Sequence, residues 1–194
     1  MFSLRQRVGN LDHRIQLVMI GVLVGVFSGF AALGLNLALK AVPRWLSRFG
    51  PSIYWVLPAV GILLTVLFLR YAIRDRSGHG VPEVIFSVSA RGGRLPGNSV
   101  FSRLVASFLT IASGGSAGPE APVVISGAGI GSRVAAWLRS NDRIRVAATG
   151  SGAAAAIAAI FNAPVTGIVF TMEVILGEWA AVNMLPVAIA SVTG

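Results

Sequence analysis

Small residues and prolines break a largely apolar chain at three places: Pro82, the pair Pro119 and Pro122, and Pro164. Each break is followed by a short apolar run, such as residues 84–88, well under the roughly 20 residues that cross a bilayer. Proline fits a helix in its first turn, where its missing N–H is not needed, so each proline reads as a helix start. Irregular backbone at membrane depth survives only when it is buried in protein or lines a cavity. The three breaks therefore predict helix N-termini that meet around one cavity. Unpaired amides at the positive ends of helix dipoles would make an anion site there, with no buried cationic side chain.

The central break reads Gly114-Gly115-Ser116-Ala117-Gly118-Pro119-Glu120-Ala121-Pro122. Its small residues disfavour helix, so a helix is expected to begin near Pro119 with Glu120 in the opening turn. An acid at that position occupies the anion's place when ionised and vacates it when protonated. That is the physics of a gate.

Composition supplies the membrane. Hydrophobic residues make up 55% of the chain and charged ones 12%, against roughly 25% charge in a soluble domain. The net charge of +9 comes from arginines scattered through short connections, which read as membrane-surface anchors and topology signals, not as a nucleic-acid surface. The absence of cysteine excludes disulfides and cysteine-ligated metals. No metal-ligand cluster or nucleotide loop is visible, so no cofactor is expected. The first apolar run is too long for a cleavable signal and lacks a small-residue cleavage site.

Residues 1–14 form a basic lead-in, and residues 15–194 a transmembrane domain. Residues 15–39 are expected to span, with Gly21, Gly25 and Gly29 marking a close helix–helix contact. Lys40, Pro43, Arg44 and Trp45 predict an interface and a turn. Residues 53–69 read as a second span, and the basic stretch 70–103 as a cytoplasmic connection, consistent with a cytoplasmic N-terminus; Lys40, Arg44 and Arg48 point weakly the other way. A half-helix is expected after Pro82, and a helix over residues 101–112. The helix from Pro119 should run to Arg139, with Asn141 capping the next. Residues 149–159 are almost wholly Gly, Ala and Ser and must pack tightly. Pro164 starts another apolar helix, which carries Glu173.

These motifs resemble the CLC family of voltage-gated chloride channels and chloride/proton antiporters. The family's Gly-Ser-Gly-Ile-Pro is similar to Gly78-His79-Gly80-Val81-Pro82, and its Gly-Arg-Glu-Gly-Pro to Gly118-Pro119-Glu120-Ala121-Pro122. Its Phe-Asn-Ala-Pro-x-x-Gly-Ile is matched by residues 161–168, after the small-residue helix. The resemblance implies an all-α, polytopic membrane fold of broken helices, of which this chain is the first of two inverted-topology halves. It implies a homodimer with one pathway per subunit, and chloride or another monovalent anion as the transported ion. Glu120 becomes the gating glutamate. Gly78, His79, Gly80, Val81 and Pro82, with Gly118, Pro119, Ala121 and Pro122, become the lining of the anion site. The family's second half carries a Gly-x-Phe-x-Pro loop and a coordinating tyrosine, which this sequence lacks. The chain is therefore expected to be a fragment or to assemble with a complementary half. The expected location is the inner (plasma) membrane of a prokaryote, in contact with its lipids.

Departures from the family pattern bear on mechanism. His79 replaces a serine whose hydroxyl helps hold the anion, and adds a titratable donor. Pro119 replaces arginine and Ala121 replaces glycine. Antiporters of the family carry an inward-facing glutamate where Val174 stands, so passive conduction is favoured and proton-coupled antiport is the alternative. Glu173 is expected to be a buried acid paired with an arginine. From other classes come a non-conducting assembly domain and an intramembrane serine protease, with Ser116 as nucleophile and His79 as base.

Overall fold

The computed structural model describes residues 13–46, 53–73 and 80–194, and among them there are helices and no strand. In chain order they are α1 (His13–Leu46), α2 (Ile53–Leu67), α3 (Val81–Ala90), α4 (Ser99–Ala112), α5 (Glu120–Trp137), α6 (Asp142–Phe161), α7 (Pro164–Phe170) and α8 (Ala181–Thr193). A π-helical turn extends α2 over Phe68–Ile73, and another extends α7 over Thr171–Ile175. Among the described residues two stretches, Ile15–Arg44 and Asp142–Phe161, are long and apolar enough to cross a membrane; the other apolar helices are shorter. Of the lead-in over residues 1–14, residues 1–12 lie outside the described residues, and His13 and Arg14 already belong to α1.

The small-residue helix α6 is the hub on which α1, α5, α7 and α8 pack. Its side chains from Ala147 to Ala158 are all buried. Tightness comes from glycine on both sides: a methyl on Gly127 of α5 would strike the Gly152 backbone of α6, and one on Gly131 would strike Ala148. With no Cβ between them the two backbones touch, the membrane's usual route to strong helix packing. The glycine stripe of α1 works likewise against α8. A methyl on Gly21 would lie 2.9 Å from the Pro186 carbonyl oxygen, and one on Gly25 would lie 2.8 Å from that of Ala190. Both close-packing expectations hold, and they rest on backbone approach.

Helix ends follow local chemistry. Asn141 caps α6 by accepting a hydrogen bond from the Ile144 amide at 2.9 Å. At the end of α5, Ser140 N donates to Ala135 O and Arg139 N to Ala136 O, with Arg139 left-handed at φ 53°. That Schellman closure stops the helix at Trp137, two residues before the expected Arg139. The expected turn at Lys40 and Pro43 does not form either, because α1 continues through Pro43 to Leu46. Pro43 forfeits its bond to the Leu39 carbonyl and crowds that oxygen, a cost the helix bears while Leu46 beyond it is buried. The helix α2 is held to α4 by a polar seam in which the Thr65 and Thr110 hydroxyls lie 3.1 Å apart.

Candidate functional site

The helix α3 begins where Gly80 adopts φ 70° and ψ −138°, a conformation that L side chains rarely take. Val81 and Pro82 form the first turn, with Glu83 behind them, and no side chain caps the helix. Glu83 faces Arg91 at 3.4 Å, so its carboxylate is turned to its own helix's far end. Residues Gly78 and His79 of the same motif lie outside the described residues.

The second motif is set up by the loop from Ser113 to Pro119. Gly114 turns the chain with φ 92°, and the Gly115 amide donates to the Thr110 carbonyl at 2.9 Å, closing α4. Ala117 N then donates to Gly115 O at 3.0 Å, and the chain enters α5 at Glu120, with Pro119 in helical geometry as its cap position. Again no side chain caps the helix. The first amide with a helical acceptor is that of Val123, which donates to Pro119 O at 3.1 Å. Pro122 carries no amide hydrogen, so the opening turn offers the N–H groups of Glu120 and Ala121.

Two contacts define the arrangement. A methyl built on Gly80 would sit 3.1 Å from the Ala121 Cβ, so the opening turns of α3 and α5 abut with nothing between them. The Glu120 side chain bends back over Gly118, two residues before it, and a methyl on Gly118 would collide with its Oε2. Glu120 is exposed, as are Ala117 and Gly118, so the carboxylate lies over the loop that precedes α5 and not inside the core. Pro119, Ala121 and Pro122 are half-buried beneath it.

The third break does not join this junction. The α7 start packs on α6 and α8, with the Pro164 carbonyl accepting from the Ser191 hydroxyl at 2.6 Å. Three converging N-termini were expected from the sequence; among the described residues two converge. The reason is the connection preceding Pro164. Asn162 takes the left-handed conformation at φ 52° and Ala163 N bonds Ala158 O, so α6 turns straight into α7 with no loop to carry it elsewhere.

Glu173 also departs from expectation. It sits in the π-helical turn, exposed, with no ion pair among the described residues, because the turn directs Thr171, Met172 and Ile175 inward. Val174 beside it is 43% exposed. Ser116 is exposed in its loop, and the base assigned to it, His79, lies outside the described residues.

The sequence reading missed the seat of the Glu120 carboxylate on Gly118. The signal was present as the small residue two positions ahead of the acid. It also passed over Arg133, which lies across Gly97 so closely that a methyl there would strike the guanidinium.

Comparison with known proteins supplies the context for this junction. The family model for the voltage gated chloride channel matches residues 61–194. The H(+)/Cl(-) exchange transporter ClcA of Vibrio parahaemolyticus is 29% identical over 186 residues, covering 88% of this chain and 39% of that protein. The chloride channel protein CLC-f of Arabidopsis thaliana is 27% identical over 199 residues, covering 91% of this chain and 24% of that protein. A crystal structure of a CLC-type fluoride/proton antiporter superposes with a TM-score of 0.77 at 26% identity, over 91% of this chain and 44% of that one. The chain thus spans less than half the length of each of these relatives.

Proposed function

Because the chain belongs to the voltage gated chloride channel family, whose channels and transporters sit in membranes, we propose that it forms one half of an anion pathway gated by Glu120. The observation that carries this reading is the junction of α3 and α5. Two uncapped helix starts meet at Gly80 and Ala121; of the two carboxylates in their opening turns, Glu83 is paired with Arg91, while Glu120 is exposed and bends back over Gly118. Amide donors and two dipole ends favour a monovalent anion such as chloride, and no cofactor is invoked. Ionised, the Glu120 carboxylate competes for those donors; protonated, it loses that claim. The complementary half of the fold is expected to close the cavity wall opposite, in keeping with the greater length of the relatives. We place the assembly in a prokaryotic inner membrane as a homodimer.

Proton-coupled exchange is the second reading, favoured by the named activities of the Vibrio relative and the superposed antiporter. Val174 favours passive flux, since an apolar side chain cannot relay a proton.

Liposomes carrying the assembled protein test the gate. Chloride flux is expected to rise as pH falls, because protonation removes the carboxylate from the junction. Glu120→Gln is expected to hold flux high at every pH and to remove the dependence that this residue contributes. A correctly folded Glu120→Gln protein with the parent's rate and pH profile would sink the gating role.

A further inference from the structure

A groove of about 410 Å³ opens between α1, α4 and α5, on the outside of the helix cluster. It is walled by Phe27, Val100, Phe101, Leu104 and Ile130, with Arg133 at one end. A second cavity of about 310 Å³ shares Phe101 and Leu104 with it and continues between α1 and α4 past Phe108. Together they make one apolar channel on the surface. Along α1 it extends from Phe27 to Ala38, a rise of roughly 16 Å.

The two ends of this channel differ. Arg133 belongs to the last turns of α5, close to the rim where Arg139, Arg143 and Arg145 follow. The start of α1 reaches the same rim, since the Gln16 side chain meets the Ser140 hydroxyl at 3.5 Å. Nearby Arg94 and Arg145 share Asp142 as an ion-pair partner, at 2.9 and 3.1 Å. Arg133 has no ion-pair or hydrogen-bond partner among the described residues, and it leans over Gly97 at the groove mouth. Moving away from the rim, the lining becomes entirely apolar, and Phe27, Phe30 and Phe101 are 57%, 68% and 70% exposed.

We propose that this groove is a binding site for one anionic phospholipid, with its phosphate on Arg133 and an acyl chain lying along Phe101 and Leu104 toward Phe108. Charge complementarity selects the occupant. A basic residue between transmembrane helices at the membrane surface attracts an anionic headgroup, and the apolar channel leads from that residue into the bilayer depth. A polypeptide segment would leave the guanidinium unpaired unless it brought an acid to it. The site is separate from the anion junction, since Arg133 lies 13 residues along α5 from Glu120, roughly 20 Å.

Native mass spectrometry of the full chain in detergent tests this, with phosphatidylglycerol and phosphatidylcholine as probes. One phosphatidylglycerol is expected to stay bound per chain, while phosphatidylcholine washes off. Arg133→Gln is expected to weaken retention roughly five-fold, which corresponds to about 1 kcal/mol for one basic residue at the surface. Arg94→Gln, whose guanidinium already serves Asp142, is expected to leave it unchanged. Leu104→Trp is expected to fill the groove and abolish retention. Should that variant misfold, a benzophenone side chain at position 104 gives a second readout. Photo-adducts to phosphatidylglycerol support the site; adducts to another protein segment overturn it. Equal retention of both lipids, or indifference to Arg133→Gln, overturns it as well.

Discussion

Gly118→Ala is the sharpest perturbation of the junction, because the structure separates its effect on the gate from its effect on the fold. Gly118 is not among the residues with left-handed φ, so its backbone accepts a side chain without strain. The added methyl meets the far end of the flexible Glu120 side chain, whose carboxylate atoms are its three nearest neighbours. The carboxylate must leave its seat. Forcing a side chain roughly 30° from its preferred rotamer costs about 0.5–1.5 kcal/mol, so the closed arrangement is disfavoured by that much. With 1.4 kcal/mol per factor of ten, the open fraction rises about two- to tenfold wherever the closed form dominates.

The assay is chloride efflux from liposomes at neutral pH, run on four proteins: parent, Gly118→Ala, Glu120→Gln and the double variant. Gly118→Ala is expected to raise flux, with a thermal midpoint in detergent close to the parent's. In the Glu120→Gln background it is expected to add little, since no ionised carboxylate remains to be displaced. Equal increases in both backgrounds would refute the reasoning, because the methyl would then act on the pathway itself. Unchanged flux in Gly118→Ala alone would show that the seat on Gly118 has no part in gating.

Gly80→Ala carries the opposite signature: a residue forced into φ 70° and ψ −138° is strained by about 1–3 kcal/mol, so denaturant melts should show a clear loss of stability. Gly25→Val should destabilise by about 1–3 kcal/mol through overpacking against Ala190. Gly34→Ala in the same helix, where nothing lies within 4 Å, should stabilise by about 0.5–1 kcal/mol. Val174→Glu is expected to leave proton movement under a chloride gradient near zero, measured by external pH in lightly buffered liposomes; a stoichiometric proton flux in the parent protein would favour the exchange reading instead.

What the sequence disclosed was mostly backbone chemistry that acts within a few residues. Pro82, Pro119 and Pro164 each stand at the helix start they predict, Asn141 caps α6, and the glycine and alanine patterns of α1 and α6 lie at close approaches. Signals of this kind need no knowledge of neighbours. The extension of α1 through Pro43 escaped because a proline in the last turns of a helix carries a real cost and so reads as a turn, whereas the burial of Leu46 beyond it is a tertiary fact. Glu173 escaped because a π-helical turn shifts which side chains face inward, and nothing in the residue types there announces such a turn.

The convergence of helix starts is a different kind of fact, and the sequence carries it in the length of each break. Between α4 and α5 the non-helical stretch runs from Ser113 to Pro119, and α3 follows a glycine that holds its own unusual dihedrals. Between α6 and α7 there are only Asn162 and Ala163. A two-residue corner ties the second helix to the first, so the direction of α7 is decided by its packing on α6 and α8, and its carbonyl is taken by Ser191. A longer glycine-rich stretch lets a helix start be placed by tertiary contact, as Gly80 against Ala121 shows. Three prolines after small residues look alike in composition. The number of residues free to turn before each one is what separates an opening turn that meets another from one that only rounds a corner.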